Sequence, residues 1–389
     1  MEQRPCRLYL ERISSLVIAQ CLFLSASAIV LTFAGLVGAI LAPRTTIATL
    51  PIAAMIIGTA LTALIMPALM QRHGRKKTFL LGSLAGSIGA ALAASAIYRS
   101  SFWGLCIGMT LFGAYQATAQ HYRFAAADGL SKKKQAKAVS LVLLGGLAAA
   151  FIGPLIAKQT QALHSKAYLG SFVAVSLLAT LSFLVVAWPN YVDSARSNKN
   201  KKPITLTSNQ KLAIGYCAVG YAIMMLIMTT APLAIVGCGY SSSRAASVIQ
   251  WHLVAMFAPS LVAGRLAEKW GSNQLAVVGV VMSMLGAVVA LMGDHSYMFT
   301  VALILSGLGW NAMYVGGTSL LTQNTLGENS SHVQGQCELL TFAFVFVAAL
   351  MSGWIYEWLG WSQINQMVLL FLFVFLILVL IYKNKNQNS

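Results

Sequence analysis

The few side chains that place charge or a strong hydrogen-bonding group inside apolar stretches are where chemistry is to be sought in this sequence. Glu338 stands near the start of the run Val333 to Trp354. An ionised group at the centre of a hydrocarbon layer costs about 2.5–3.5 kcal/mol on insertion scales, so it normally faces a partner or a water-filled cavity. Burial also favours the neutral carboxyl, which suits Glu338 to taking up and releasing a proton. A permanent pairing with Arg123, or a hydrogen bond at the helix terminus, is the alternative. His252 follows Gln250 and Trp251 in another apolar run, and its imidazole is a second candidate for proton coupling, against a purely hydrogen-bonded structural role.

Gln116, Gln120 and Arg123 are spaced i, i+4 and i+7, which puts two amides and a guanidinium on one helix face. Guanidinium grips carboxylate or phosphate through two parallel hydrogen bonds, so this stripe is a candidate site for an anionic substrate. A structural tie from Arg123 to Asp128 or Glu338 competes with that reading. Trp310, Asn311, Tyr314 and Thr318 form a related stripe, flanked by Gly307, Gly309, Gly316 and Gly317, which permit close helix approach. Trp310 and Tyr314 beside an amide suit a flat organic ligand, while the glycines equally suit helix packing with Asn311 satisfied across an interface.

No G-x-x-x-x-G-K, H-E-x-x-H or G-x-S-x-G string is found, and no paired Asp cluster, so an enzyme is not expected. The six cysteines contain no CxxC pair and fall mostly in apolar runs, where a thiol acts as a small hydrophobe. No disulfide framework, metal site or cofactor is expected.

These residues must be held by elements that composition already constrains. Of 389 residues, 58% are hydrophobic and 9% charged, whereas soluble domains carry charge on about a quarter of positions. That leaves too little polar surface to coat a body in water. Apolar runs occur at Leu16 to Leu41, Ile47 to Met70, Phe79 to Tyr98, Phe102 to Phe124, Ala138 to Ile156 and Tyr168 to Trp188. After a polar stretch they resume at Leu212 to Val236, Val248 to Leu266, Leu275 to Met292, Met298 to Leu321, Val333 to Trp354 and Ile364 to Tyr382. A span needs roughly 20 apolar residues, so the expectation is an all-α membrane protein of twelve transmembrane helices. The first run is longer than a signal peptide's apolar core and is expected to be retained.

The formal net charge of +17 is not a nucleic-acid footprint, because its cations alternate between loops. Arg72, Arg75, Lys76 and Lys77, then Lys132, Lys133, Lys134 and Lys137, then Arg196, Lys199, Lys201 and Lys202 fall on one side; Arg44, Arg99, Lys158, Lys166 and Arg244 are the sparse other side. The positive-inside bias then puts both termini in the cytoplasm. The expected partners are membrane lipid, a small-molecule substrate and protons or another coupling ion, with no nucleic acid, and the chain is expected to act as a monomer in the inner membrane.

The polar stretch in the middle suggests a six-helix bundle at 1–188, a cytoplasmic linker at 189–211 and a second bundle at 212–389. An offset of 197 residues lays Leu69 on Leu266, Arg72 on Lys269 and Gly74 on Gly271, so the halves read as a duplication. Twelve spans in two halves, a basic linker and the turn Pro67-Ala68-Leu69-Met70-Gln71-Arg72-His73-Gly74-Arg75-Lys76 resemble the major facilitator superfamily and its signature G-x-L-A-D-R-x-G-R-K. Pro67 and Gln71 depart from that pattern, and the second copy keeps Gly264 but carries Glu268, Lys269 and Ser272.

The segments Gly113 to Asp128, Gly307 to Thr322 and His332 to Phe342 resemble a bacterial branch of permeases within that superfamily. The resemblance implies two pseudo-symmetric bundles rocking about a midplane cavity in alternating access. It also implies gating roles for Arg72, Gly74, Arg75 and Asp128, with Arg75 and Asp128 as a charge pair. Gly153-Pro154, after Gly145 and Gly146, resembles the Gly-Pro signature of exchangers in the superfamily, although Ala149 and Ala157 replace expected glycines. A proline-bent helix and a gate element are its two readings. The expected function is proton-coupled secondary transport of a small anionic organic solute; the alternatives are a siderophore or vitamin carrier of the same fold, and a membrane sensor or assembly factor.

Overall fold

The computed structural model describes residues 3–127, 132–189, 206–323 and 330–387. Among them the secondary structure is twelve α-helices and one 3-10 turn. The chain divides into two compact units, residues 1–201 and 202–389. The first holds α1 (Gln3–Leu41), α2 (Leu50–Tyr98), α3 (Phe102–Ala119), α4 (Tyr122–Ala127), α5 (Lys132–Thr160) and α6 (Leu169–Ala187). The second holds α7 (Ser208–Gly237), α8 (Ser242–Phe257), α9 (Ser260–Trp270), α10 (Ser272–Leu291), α11 (Ser296–Gln323) and α12 (Ser330–Gln387).

Twelve helices are not the twelve apolar runs one for one. The second and third runs continue as α2 through Gly74, whose φ of 75° and ψ of 167° break the helical geometry. The last two runs continue as α12 through Gly360, at φ 71° and ψ −178°. A side chain with a Cβ is strained at such positive φ, so glycine lets the chain turn without a long loop. Conversely, the fourth run splits into α3 and α4. There the His121 amide donates to the Thr118 carbonyl three residues back at 3.0 Å, while the His121 ring Nδ1 sits 3.0 Å from the Ala117 oxygen. The side chain thus occupies the acceptor that a regular helical amide would use. The eighth run splits into α8 and α9, bent by 42°, where Pro259 removes an amide donor and restricts Ala258.

Among the described residues, eight helical segments are long and apolar enough to cross a membrane, or nine if α8 and α9 form one broken span; α10 alone, at 20 residues, reaches about 30 Å. Leu64 and Leu370 are each 66% exposed and Leu378 is 59% exposed, an outward apolar surface that water would penalise and lipid solvates. The chain is a multi-pass membrane protein.

Within the first unit α2 packs against α3 and α6, and α1 against α5 and α6. Within the second α11 packs against α7, α8 and α10, and α12 against α7 and α10. Small residues bring these helices together. A Cβ on Gly89 would lie 2.5 Å from the Gly108 oxygen, and one on Gly279 2.6 Å from the Gly309 oxygen, so backbones touch at both crossings. Helix starts are capped: the Thr207 amide donates to Gln210 Oε1 at 2.9 Å while the Gln210 amide donates to Thr207 Oγ1, and the Arg244 amide donates to Ser241 Oγ at 3.2 Å.

Candidate functional site

In the second unit, α11 carries Trp310 and Tyr314 one turn apart, and their rings stack with centroids 5.3 Å apart and planes 12° from parallel. Tyr221 of α7 meets Trp310 edge-on at 5.3 Å and Tyr314 at 6.0 Å. Phe342 of α12 lies 6.0 Å from Tyr221, and Phe257 at the end of α8 lies 6.3 Å from Trp310. Five rings from four helices therefore converge. Trp310 is 7% exposed and its Nε1–H has no hydrogen-bond partner among the described residues, although a buried indole N–H ordinarily finds one because leaving it unpaired costs about 1–3 kcal/mol. The five rings pack on one another around one unspent donor.

Asn311 is placed differently. It is buried, and its Nδ2 donates to the Met256 carbonyl at 2.7 Å and to Ser260 Oγ at 2.6 Å. Those partners straddle the α8–α9 break, where Pro259 leaves helix carbonyls without amide donors. Asn311 thus mends the bend, and its amide hydrogens are committed to packing. His252 is fully buried with Nδ1 2.6 Å from the Leu303 oxygen; it fastens α8 to α11, and its Nε2 has no hydrogen-bond partner among the described residues. Glu338 is half-buried on α12, beside Cys337 and one turn before Phe342.

In the first unit, Gln116 accepts a hydrogen bond from Thr59 Oγ1 of α2 at 3.2 Å, and the same hydroxyl lies 3.1 Å from the Gly113 oxygen. Gln120 is the C-cap of α3, and Arg123 lies beyond the break, half-buried on α4. The i, i+4, i+7 stripe is therefore not carried by one uninterrupted helix. Asp128 lies outside the described residues. Arg72 is exposed, Arg75 is half-buried, and both flank the backbone reversal at Gly74. Gly271 repeats that reversal in the second unit with φ 93° and ψ 141°. Gly153 is pressed against α1, where a Cβ would lie 2.8 Å from the Ser25 oxygen, and α5 continues as a helix through Pro154.

Tyr221, Phe257 and Phe342 were not singled out by sequence, because each belongs to a different apolar run and nothing local distinguishes it from core. Thr59 was likewise invisible as the partner of Gln116.

The sequence model described as Major Facilitator Superfamily matches residues 16–259 and 245–389. The riboflavin transporter RfnT of Brucella anthropi is 34% identical over 363 residues, covering 91% of this chain and 91% of that protein. The uncharacterized MFS-type transporter YdeG of Bacillus subtilis is 28% identical, covering 79% of this chain and 76% of that one. A crystal structure of the nucleoside transporter NupG superposes with a TM-score of 0.73 at 12% identity, covering 95% of this chain and 99% of that chain; at that identity the likeness concerns the fold.

Proposed function

Because the chain belongs to the major facilitator superfamily, and is a transporter rather than an enzyme, we propose that it carries a flat heteroaromatic solute, with riboflavin the leading candidate, by alternating access across a bacterial inner membrane. Both termini lie in the cytoplasm in this reading, following the loop cations. The observation that carries it is the ring cluster around Trp310, whose stacked pair and unspent N–H match a tricyclic ring edged with carbonyl and ring-nitrogen acceptors. The 34% identity to a riboflavin transporter over most of both chains supports the same class.

Trp310 and Tyr314 hold the ring, with Tyr221, Phe257 and Phe342 completing the wall. Glu338, one turn from Phe342, takes up the coupling proton, and His252 is retained as a structural histidine. The turns at Gly74 and Gly271 are hinges of the gates, with Arg72 and Arg75 as their charged partners in the first unit. Arg123, with Gln116 and Gln120 nearby, supports a second reading in which the solute is a small organic anion, including a carboxylate siderophore.

Uptake into proteoliposomes separates these readings. Labelled riboflavin is expected to accumulate when the interior is more alkaline than the medium, and Glu338→Gln is expected to abolish that dependence on the pH step. Uptake of organic anions but not of riboflavin, lost in Arg123→Gln and kept in Trp310→Phe, would overturn the first reading in favour of the second.

A further inference from the structure

In the first unit α1 and α6 leave between them a cavity of about 330 Å³, near the end where α1 begins and α6 stops. One water takes roughly 30 Å³ of the liquid, so the space is of a size for an organic group. Glu11, Ser14, Ser15 and Ile18, spaced i, i+3, i+4 and i+7 on one face of α1, form one wall, and Leu184 and Trp188, one turn apart at the end of α6, form the other. The mouth opens toward lipid. Val173, Leu177, Leu181, Leu184 and Trp188 make one exposed apolar stripe down the whole of α6, and at the cavity Ile18 is 49% and Trp188 80% exposed. Trp188 caps a 19-residue helix, the depth at which an indole sits between headgroups and acyl chains. Neither the ring cluster nor the Arg123 stripe draws on this cleft.

The polar groups of the lining are nearly all acceptors. Ser15 Oγ donates to the Val185 carbonyl at 2.7 Å and Ser14 Oγ to the Glu11 carbonyl at 3.2 Å, so each hydroxyl commits its hydrogen to a backbone oxygen and turns lone pairs to the cleft. Glu11 adds a carboxylate, which accepts through two oxygens, and the carbonyl end of α6 is the negative pole of its helix dipole. This set suits a cation rich in N–H donors and repels an anionic head. The one donor of the lining, the Trp188 indole N–H, suits a phosphate or ester oxygen. We propose that the cleft binds one phospholipid with a primary ammonium head, of the phosphatidylethanolamine class, its ammonium at Glu11 and an acyl chain along Ile18 and Leu184. The lipid ties α1 to α6 beside the Ser15–Val185 hydrogen bond and, by binding the folded form, stabilises the first unit by mass action, whatever the solute.

The test places the full chain in nanodiscs of dioleoylphosphatidylcholine doped with a phosphatidylethanolamine that carries a diazirine in its acyl chain, and maps the cross-linked peptides after irradiation. Labelling is expected to concentrate on residues 14–18 and 184–188, against a matrix lipid whose head has the positive charge but no N–H. Unlabelled dioleoylphosphatidylethanolamine is expected to compete it away, and dioleoylphosphatidylglycerol to leave it in place. Glu11→Gln is expected to reduce the labelling about tenfold, the size of one lost charge-assisted hydrogen bond, and Ile18→Trp, which fills the cavity, to abolish it. The wild-type map and its headgroup ranking need no variant, so they decide the matter even if a variant folds poorly. Labelling spread evenly over the exposed helix faces, equal competition by phosphatidylglycerol, or unchanged labelling in either variant would overturn the proposal.

Discussion

Where α3 of the first unit carries Gly113, α11 of the second carries Trp310, and the same 197-residue offset that joins Gly74 to Gly271 joins these two positions. The helices facing them correspond as well, with Met55 and Thr59 of α2 set against His252 and Met256 of α8. In the first unit glycine lets the two helices close: a Cβ at Gly113 would lie 2.7 Å from the Thr59 amide nitrogen, and Thr59 reaches across to the Gly113 carbonyl at 3.1 Å. In the second unit the bond runs in the reverse direction, from Asn311 to the Met256 carbonyl at 2.7 Å, and an indole stands where the glycine was. At this position the first unit closes its crossing on backbone, and the second unit carries a ring cluster.

The comparison breaks first, and hardest, at its glycine. Gly113→Leu forces a side chain into the α2 backbone, where overpacking costs about 1–3 kcal/mol and rises further when backbone must move. The expected result is loss of monodisperse protein on size-exclusion chromatography, whereas Gly264→Leu, at a position with open space around it, is expected to leave yield unchanged. Next comes Asn311→Ala, which strands the Met256 carbonyl at the proline break and is expected to lower stability by about 1–3 kcal/mol in a thermal-shift assay. Thr59→Ala removes a single hydroxyl from the corresponding crossing and is expected to cost about 1 kcal/mol, a difference in size that sharpens the contrast between the two bonds. Gly74→Ala and Gly271→Ala are expected to cost about 1–2 kcal/mol each for a left-handed backbone carrying a Cβ, and nearly equal losses would mark the two turns as one element used twice.

The helical membrane fold was legible because a hydrocarbon solvent leaves its mark on every residue: sparse charge, apolar runs of span length and cations gathered on alternate loops. Element boundaries were less so. Gly74 and Gly360 turn the chain between separate apolar runs with no intervening loop, while His121 and Pro259 divide runs that look uniform. At the candidate site, Trp310 and Tyr314 stood out as a stripe on one helix, and their stacking follows from their one-turn spacing. Asn311 in the same stripe was readable either as ligand contact or as packing, and only the position of the α8 carbonyls decides for packing. Rings contributed by α7, α8 and α12 depend on which helices are neighbours, information that no local pattern carries.

Whether the ring cluster of the second unit receives the solute is decided by riboflavin binding to the purified protein, read as quenching of flavin fluorescence. Saturable quenching is expected in wild type, with affinity about tenfold weaker in Trp310→Phe, where the unspent N–H is removed and the ring kept, a loss of about 1.4 kcal/mol. Gln116→Ala, in the first unit, is expected to bind as wild type does. Quenching unchanged by Trp310→Phe but abolished by Gln116→Ala would place the solute in the other half and contradict the account.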